Sequence, residues 1–509
     1  MRDTSSSDSR RVLKGLNFID GEFRQSSNGE TINVINPATG KVIGSVPNST
    51  EADLENAVDA ARDAFDVGSW SKITPAERSL KLMRVADIIE SEIDFFSELE
   101  SVNSGKSIKQ TANYDLPYLI DNIRSLAGAS RNLEGKAMAE YGDEGTSAVR
   151  REPIGVVGVI TPWNYPLMMV VWRAVPALVM GNTVVVKPAS YTPLTTIEFA
   201  KIVKRAGIPD GAFNVITGRG DRIGNGMAKN SKVDMIAFTG SEEVGRSISA
   251  IGAETLKKIS LELGGKAPFI VFEDADIKAA VESAVVGGLV NNGQDCANST
   301  RYYVHERLSR KFEELLIGKL KQVRIGNPLE KTTDMGPLIS AAHRSRVEGY
   351  IERGVAEGGV LRYGGDEPAI PGHEAGFFLR PAVIQTENEN SSIVKEEIFG
   401  PVYTLLQFSD YEEVIRRSND VTYGLGSSVW TKDVTRAIRA TRDLKFGTVW
   451  VNEHVVVPSE MPWAGYRHSG HGASLSSYSL EEFTNIKHVY FDNTGSERKK
   501  WYYQVYGNS

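Results

Sequence analysis

The strongest constraint on this chain is an alternation that sets in after Ser147. Short β-branched runs at Val156–Ile160, Thr183–Lys187, Phe213–Ile216, Met235–Phe238 and Pro268–Phe272 are bounded by Gly, Pro and Asn. Between them lie helix-like stretches at 166–180, 194–206, 221–229, 243–252 and 275–290. Strands alternating with helices at this pitch predict an α/β fold, a parallel sheet covered on both faces, because a parallel crossover is usually made by a helix. A second series follows Cys296, with strand patterns at Ser299–Val304, Val402–Phe408, Ser427–Trp430 and Thr448–Val451, and predicts a second α/β domain over roughly 267–470.

The first 135 residues read differently. After a short β region containing Asn17–Phe23 they are mostly helical. Thr50 is a plausible N-cap with Asp53 three residues on, opening a helix over 50–66, and long helical patterns follow at 76–103 and 112–134. Segments 138–151 and 484–495 are β-prone and fit neither series, so a small protruding sheet suited to subunit pairing is expected there. The resulting plan is a polar leader (1–16), one α/β domain (17–137 and 152–266), a second (267–470), the β extension, and C-terminal segments 471–483 and 496–509.

Composition removes several classes of function. A net charge of −7 over 509 residues supplies no field for nucleic acid or anionic membrane. The most apolar stretch, Leu167–Val186, is interrupted by Arg173, Pro176, Gly181 and Asn182, so no membrane span is expected. The N-terminal residues show no apolar secretory core, and the single cysteine, Cys296, allows no intramolecular disulfide, so a cytoplasmic location is expected. Partners should be small molecules or copies of the chain itself.

Cys296 follows Asn291-Asn292-Gly293-Gln294-Asp295, a polar bend between a helix and a strand, where a thiol is placed for attack; as a lone small residue it could equally be a buried hydrophobe. Glu262, between Leu261 and Leu263 and just before Gly264-Gly265, is either paired, for instance with Lys266, or held partly neutral as a general base. Asn164, in Thr161-Pro162-Trp163-Asn164-Tyr165-Pro166, comes directly after a strand, where α/β ligand sites open and an amide can donate to an oxyanion. Gly218-Arg219-Gly220 with Gly224, and Phe238-Thr239-Gly240-Ser241 with Gly245, are weak dinucleotide or phosphate turns when taken singly.

Order and combination carry more weight. T-P-W-N-Y-P (161–166), K-P-A-S (187–190), F-T-G-S (238–241), L-E-L-G-G-K (261–266), G-Q-D-C (293–296), E-E-I-F-G-P (396–401) and S-G-H-G (469–472) occur in the order found in NAD(P)-dependent aldehyde dehydrogenases, which the chain resembles over about 17–490. That resemblance implies a Rossmann-like cofactor domain, a catalytic domain, a β oligomerisation extension, and a dimer or tetramer. It implies Cys296 as the nucleophile toward the aldehyde, Asn164 with the Cys296 N–H as oxyanion donors, and Glu262 as the base that activates water.

For the cofactor the resemblance implies Lys187 and Ser190 at the adenine ribose, and Ser241 in a turn with Gly240, Val244 and Gly245 at the pyrophosphate. Glu397 and Phe399 are implied at the nicotinamide. Ile160, Thr161, Pro162, Trp163, Gly220, Gly224, Phe238, Thr239 and Leu263 complete the implied cofactor surface. The family's usual NAD-binding Glu is Ser190 here; a neutral hydroxyl would also admit a 2′-phosphate, so NAD is expected with NADP allowed. Ser474 stands where some relatives carry an acidic proton relay. His468 and His471 form a pair without further ligands, and no metal is expected.

The run 451–463 with 477–484 is similar to bacterial 4-aminobutyraldehyde dehydrogenases, a branch close to betaine-aldehyde and 4-trimethylaminobutyraldehyde dehydrogenases. By that similarity Asp295 and Asp121 would pair with a substrate ammonium, and Tyr165, Trp172 and Trp463 would form an aromatic wall. An ω-aminoaldehyde is thus the expected substrate, with betaine aldehyde, 4-trimethylaminobutyraldehyde or a broad range of aldehydes as alternatives. A cofactor-free thiol esterase and a non-catalytic binding protein are further classes, disfavoured respectively by Glu397 with Phe399 and by the intact Cys296, Glu262 and Asn164.

Overall fold

A computed structural model describes residues 13–505 except Arg498. Two large sheets organise it. The first has eight strands and takes its parallel centre from Val156–Ile160, Thr183–Lys187, Phe213–Val215, Met235–Thr239 and Lys258–Glu262. Antiparallel strands Asn17–Ile19 with Glu22–Arg24 close one edge, and Gly470–His471 pairs with Leu261 and Glu262 at the other. The second has seven strands, with Ala267–Val271 between Ser299–His305 and Gly426–Trp430. The innermost strands, Val156–Ile160, Thr183–Lys187, Met235–Thr239, Ala267–Val271 and Ser299–His305, are buried along their length, as helices on both faces require.

Three strands, Ala139–Gly142, Gly145–Pro153 and Thr484–Asp492, form a separate antiparallel sheet that exposes Ile486, Tyr490 and Phe491. The hairpin Thr31–Ile35 with Val42–Pro47 and the strands Val360–Tyr363 and Ala382–Gln385 have no counterpart in the sequence reading. Most of the polar leader and the last four residues lie outside the described residues. Within the leader, Leu13–Lys14 form a short strand beside Gly44 and Ser45.

The helical region shows where periodicity misleads. Thr50 does cap Glu51–Asp66, with Asp53 returning a bond to the Thr50 N–H. The stretch 76–103, however, is two helices, Pro75–Ser91 and Ile93–Ser104, broken at Glu92, which leaves helical geometry (φ −117°, ψ 21°). The stretch 112–134 is a π-helical turn, Thr111–Asp115, running into the α-helix Leu116–Ala129. A π-turn holds one residue more than an α-turn and so rotates the side chains that follow. That rotation decides which residues of this helix meet the site.

Candidate active site

The site is built where the two sheets face each other. Asn164 follows the strand Val156–Ile160, and Glu262 ends the strand Lys258–Glu262. Cys296 lies on the loop just before Ser299–His305. One cavity of about 410 Å³ reaches from Gly240, Ser241 and Glu397 past these three residues to Tyr165, Trp172, Asp295 and Trp463. Pro162, Trp163, Thr239, Leu263 and Phe399 line it as well.

The approach to Cys296 is conformationally unusual. Asn291, Asn292 and Gly293 all have left-handed backbone (φ 52°, 59° and 76°), which Asn tolerates better than other non-glycine residues. Their side chains hold the bend in place. Asn291 Nδ2 donates to the carbonyls of Asn164 and Gln294, both at 2.8 Å, tying the Cys296 loop directly to the Asn164 loop. Asn292 Nδ2 donates to the Gly105 and Pro337 carbonyls, and its Oδ1 accepts from the Gly336 N–H.

Burial sets the protonation at this end. It pushes the Cys296 thiol well above its ordinary value, helped by the negative charges of Asp295, Glu262 and Glu397. Burial also raises Glu262 against the opposing charge of Arg173, and raises Glu397 to about 7. Arg173, wholly buried, lies 3.4 Å from Glu262 Oε1 and is fixed by Thr239 Oγ1 and Ser260 Oγ. The pairing of Glu262 with Lys266 is therefore corrected: its cationic neighbour is Arg173, while the Lys266 amine has no hydrogen-bond partner among the described residues. Ser474 is buried close to Glu262 and brings no charge to it.

Residues expected at the cofactor fall into two groups. Glu397 Oε1 accepts from the Gly265 N–H at 3.1 Å, and a Cβ on Gly264 would stand 2.1 Å from Glu397 Oε2, so only glycine lets that carboxylate close in. Ser241 caps the helix Glu242–Ala253, and a Cβ on Gly245 would meet Leu263 at 2.7 Å, which seats the helix start close over the strand end. Phe399, left-handed at φ 61°, packs edge-on against Trp163 at 5.2 Å.

Further out, Lys187 pairs in register with Ile160 on the neighbouring strand. It is buried, its ammonium bonds only the next residue's carbonyl among the described residues, and burial lowers it to about 8. Ser190 donates to the Gly218 carbonyl at 3.0 Å. Gly220 and Gly224 bound a π-turn, with Gly220 exposed, and Val244 is exposed too. None of these, nor Ile160, Thr161, Phe238 or Gly245, lines the cavity itself.

At the far end, Asp295 lines the cavity but Asp121 does not. Asp121 is exposed on the outer side of its helix, while Tyr114 and Tyr118, four residues apart across the π-turn, face inward. Asp121 instead accepts from the Ser459 hydroxyl, which accepts from Asn122 Nδ2, whose Oδ1 accepts from Trp172 Nε1. It thus ends a chain that fixes Trp172 from behind. The sequence reading passed over Tyr114, Tyr118, Met168, Met169 and Arg173; an arginine inside the apolar helix Pro166–Val179 was the one visible signal.

Comparison with known proteins decides the class. The model of the aldehyde dehydrogenase family matches residues 23–489. The chain belongs to that family. It is 40% identical to the betaine aldehyde dehydrogenase of Bacillus subtilis (strain 168) over 485 residues, 95% of this chain and 99% of that protein. A Brucella ovis betaine aldehyde dehydrogenase is 39% identical over 94% of this chain and 97% of its own length. Among solved structures, the NAD+ complex of a Bacillus cereus aldehyde dehydrogenase has a TM-score of 0.92 at 38% identity, covering 94% of this chain and 97% of that one. The Staphylococcus aureus betaine aldehyde dehydrogenase with NAD+ has a TM-score of 0.93 at 38% identity, covering 96% and 97%. The solved relatives that hold NAD+ thus share this chain's fold along nearly its whole length.

Proposed function

We propose that the chain oxidises a small aldehyde bearing a cationic nitrogen, of the betaine-aldehyde kind, to its carboxylic acid. The observation that carries this reading is the make-up of the cavity's far end: Tyr114, Tyr118, Trp172 and Trp463 around one buried carboxylate, Asp295. Aromatic faces attract a quaternary ammonium, and the carboxylate supplies the countercharge. The names of the relatives favour this trimethylammonium alternative over 4-aminobutyraldehyde. A primary ω-aminoaldehyde is the second reading, because each Asp295 oxygen accepts one protein hydrogen bond and keeps capacity for an ammonium donor.

In the mechanism, Cys296 adds through sulfur to the aldehyde carbon, and its proton leaves toward solvent. The oxyanion so formed is received by the Asn164 amide and the Cys296 N–H. Bound NAD+ supplies the hydride acceptor. Glu397 and Phe399 would hold its nicotinamide end, Ser241 with the start of its helix the pyrophosphate, and Lys187 with Ser190 the adenine ribose. Glu262 then takes a proton from water, whose oxygen attacks the thioester and releases the acid and the thiol. Aldehyde, NAD+ and water yield carboxylate, NADH and protons in balance. Ser190, lacking a charge that would repel a 2′-phosphate, leaves NADP as a second cofactor. Pairing of chains would use the exposed face of the β extension.

The test is NADH formation with betaine aldehyde, 4-aminobutyraldehyde and 3,3-dimethylbutanal, the last being the neutral isostere of the first. A kcat/KM for betaine aldehyde well above that for its isostere supports the reading; equal values would refute it.

A further inference from the structure

Behind the cavity wall lies a buried ion pair that the reaction itself does not use. Lys106 Nζ is 2.8 Å from Asp115 Oδ2, and the two side chains are 0% and 4% exposed. The pair exists because the π-turn Thr111–Asp115 carries Asp115 inward at its end while Tyr114, one residue before, lines the cavity. Gln110 Nε2 supports the other Asp115 oxygen at 3.3 Å, and Gln110 Oε1 accepts from the N–H of Asn291, on the nucleophile loop.

The same ammonium sits 3.7 Å from the centre of the Tyr165 ring. Tyr165 in turn donates its hydroxyl to Asp295 Oδ2 at 2.6 Å, and the Ala297 N–H donates to Oδ1 at 2.6 Å. A cation against the ring face holds the ring in one orientation and draws electron density from it, which strengthens the phenol as a donor. Asp295 is the residue beside the nucleophile and lines the cavity, so the chain Asp115–Lys106–Tyr165–Asp295 runs from the helical layer to the place where a substrate cation would rest.

We infer that Lys106 is a positioning residue for cation recognition: its buried ammonium locks the Tyr165–Asp295 bond that aims the Asp295 carboxylate at the cationic nitrogen of the substrate. The inference rests on the reading that the substrate is a cationic aldehyde. Asp295 loses half of its side-chain support when Tyr165 is unlocked, because the Ala297 bond alone fixes only one oxygen. Burial acts to raise Asp295, and Tyr165, the Ala297 N–H and Lys106 act in the other direction.

The experiment compares kcat/KM for betaine aldehyde with that for 3,3-dimethylbutanal at saturating NAD+ in the full-length enzyme. The proteins are wild type, Asp295→Asn, Tyr165→Phe and the double variant Lys106→Met/Asp115→Asn, which removes both buried charges together and leaves neither unpaired. The charged-to-neutral ratio should fall by about tenfold in Asp295→Asn, the scale of a desolvated cation contact. Tyr165→Phe should reproduce most of that fall, and so should the Lys106/Asp115 double variant, there through KM for betaine aldehyde with kcat retained. Combining the double variant with Asp295→Asn should lower the ratio no further.

An unchanged ratio in the Lys106/Asp115 variant, a loss in kcat shared by both aldehydes, or additive losses would overturn the role of Lys106 while leaving the cationic substrate standing. A wild-type ratio near one would instead remove the substrate reading and this inference together. Should the double variant fail to fold, Tyr165→Phe keeps the ion pair and cuts only the link, and an unchanged ratio there is equally fatal.

Discussion

The two ends of the cavity are built on opposite principles. At the reacting end, the buried Glu262 Oε1 has no hydrogen bond among the described residues, its cationic neighbour Arg173 standing 3.4 Å away. At the substrate end, polar atoms that line the same space are tied down: Tyr165 to Asp295, Trp172 to Asn122, Tyr118 to the Val457 carbonyl. An unmade hydrogen bond in a buried site costs free energy, and at Glu262 Oε1 it leaves capacity for a partner that arrives with the reaction. A satisfied wall is rigid and recognises shape and charge. The first end should therefore fail in kcat and the second in KM.

The largest break in this division is Cys296→Ser. It should lower kcat by roughly three orders of magnitude or more, with NAD+ binding by fluorescence titration retained. Next, Asn164→Ala should cost about 100- to 1000-fold in kcat and little in KM, as the loss of one oxyanion donor does. Steady-state rates with a neutral aldehyde would read it; a change confined to KM would erase the distinction between the ends.

Smaller and more mixed is Asn291→Ala. It removes the bonds to Asn164 and Gln294 and should destabilise the fold by about 1–3 kcal/mol, seen in thermal melts, while loosening the geometry between Asn164 and Cys296. The mildest change is a shift in pH dependence. Because burial, and after it the negative charges nearby, hold the Cys296 thiol up, the reactive thiolate is scarce at neutral pH and increases as pH rises. Removing the Asp295 charge lowers the thiol's pKa, so the profile of Cys296 alkylation by iodoacetamide should move toward acid in Asp295→Asn. Movement toward alkali would contradict the electrostatic account.

How much of this was legible beforehand varied with the physics involved. The strands of both large sheets were readable because a parallel, doubly covered strand is apolar along its length and is punctuated by Gly and Pro. The break at Glu92 and the π-turn at 111–115 were not, since the apolar spacing continues across both and only tertiary packing selects the break. Asp121 shows the consequence: a carboxylate on the right helix faces outward, where it ends a hydrogen-bond chain behind Trp172. That Glu262, Asn164 and Cys296 meet at one cavity was legible by motif, but the cation suggested beside Glu262, Lys266 four residues along the chain, gives way to Arg173 on another element. Spatial partners of buried charges leave little trace in sequence spacing. The Lys106–Tyr165–Asp295 chain, spread over nearly 190 positions, left none.

The central claim is that Cys296 and Glu262 serve successive steps at one end of the cavity, and trapping the enzyme between those steps tests it most directly. Glu262→Gln mixed rapidly with NAD+ and betaine aldehyde should give a burst of NADH close to one equivalent per site, followed by slow turnover. Mass spectrometry should then find an acyl adduct on Cys296. No burst and no adduct in Glu262→Gln, with Cys296 still open to alkylation, would show that Glu262 acts before the thioester forms and would contradict the account.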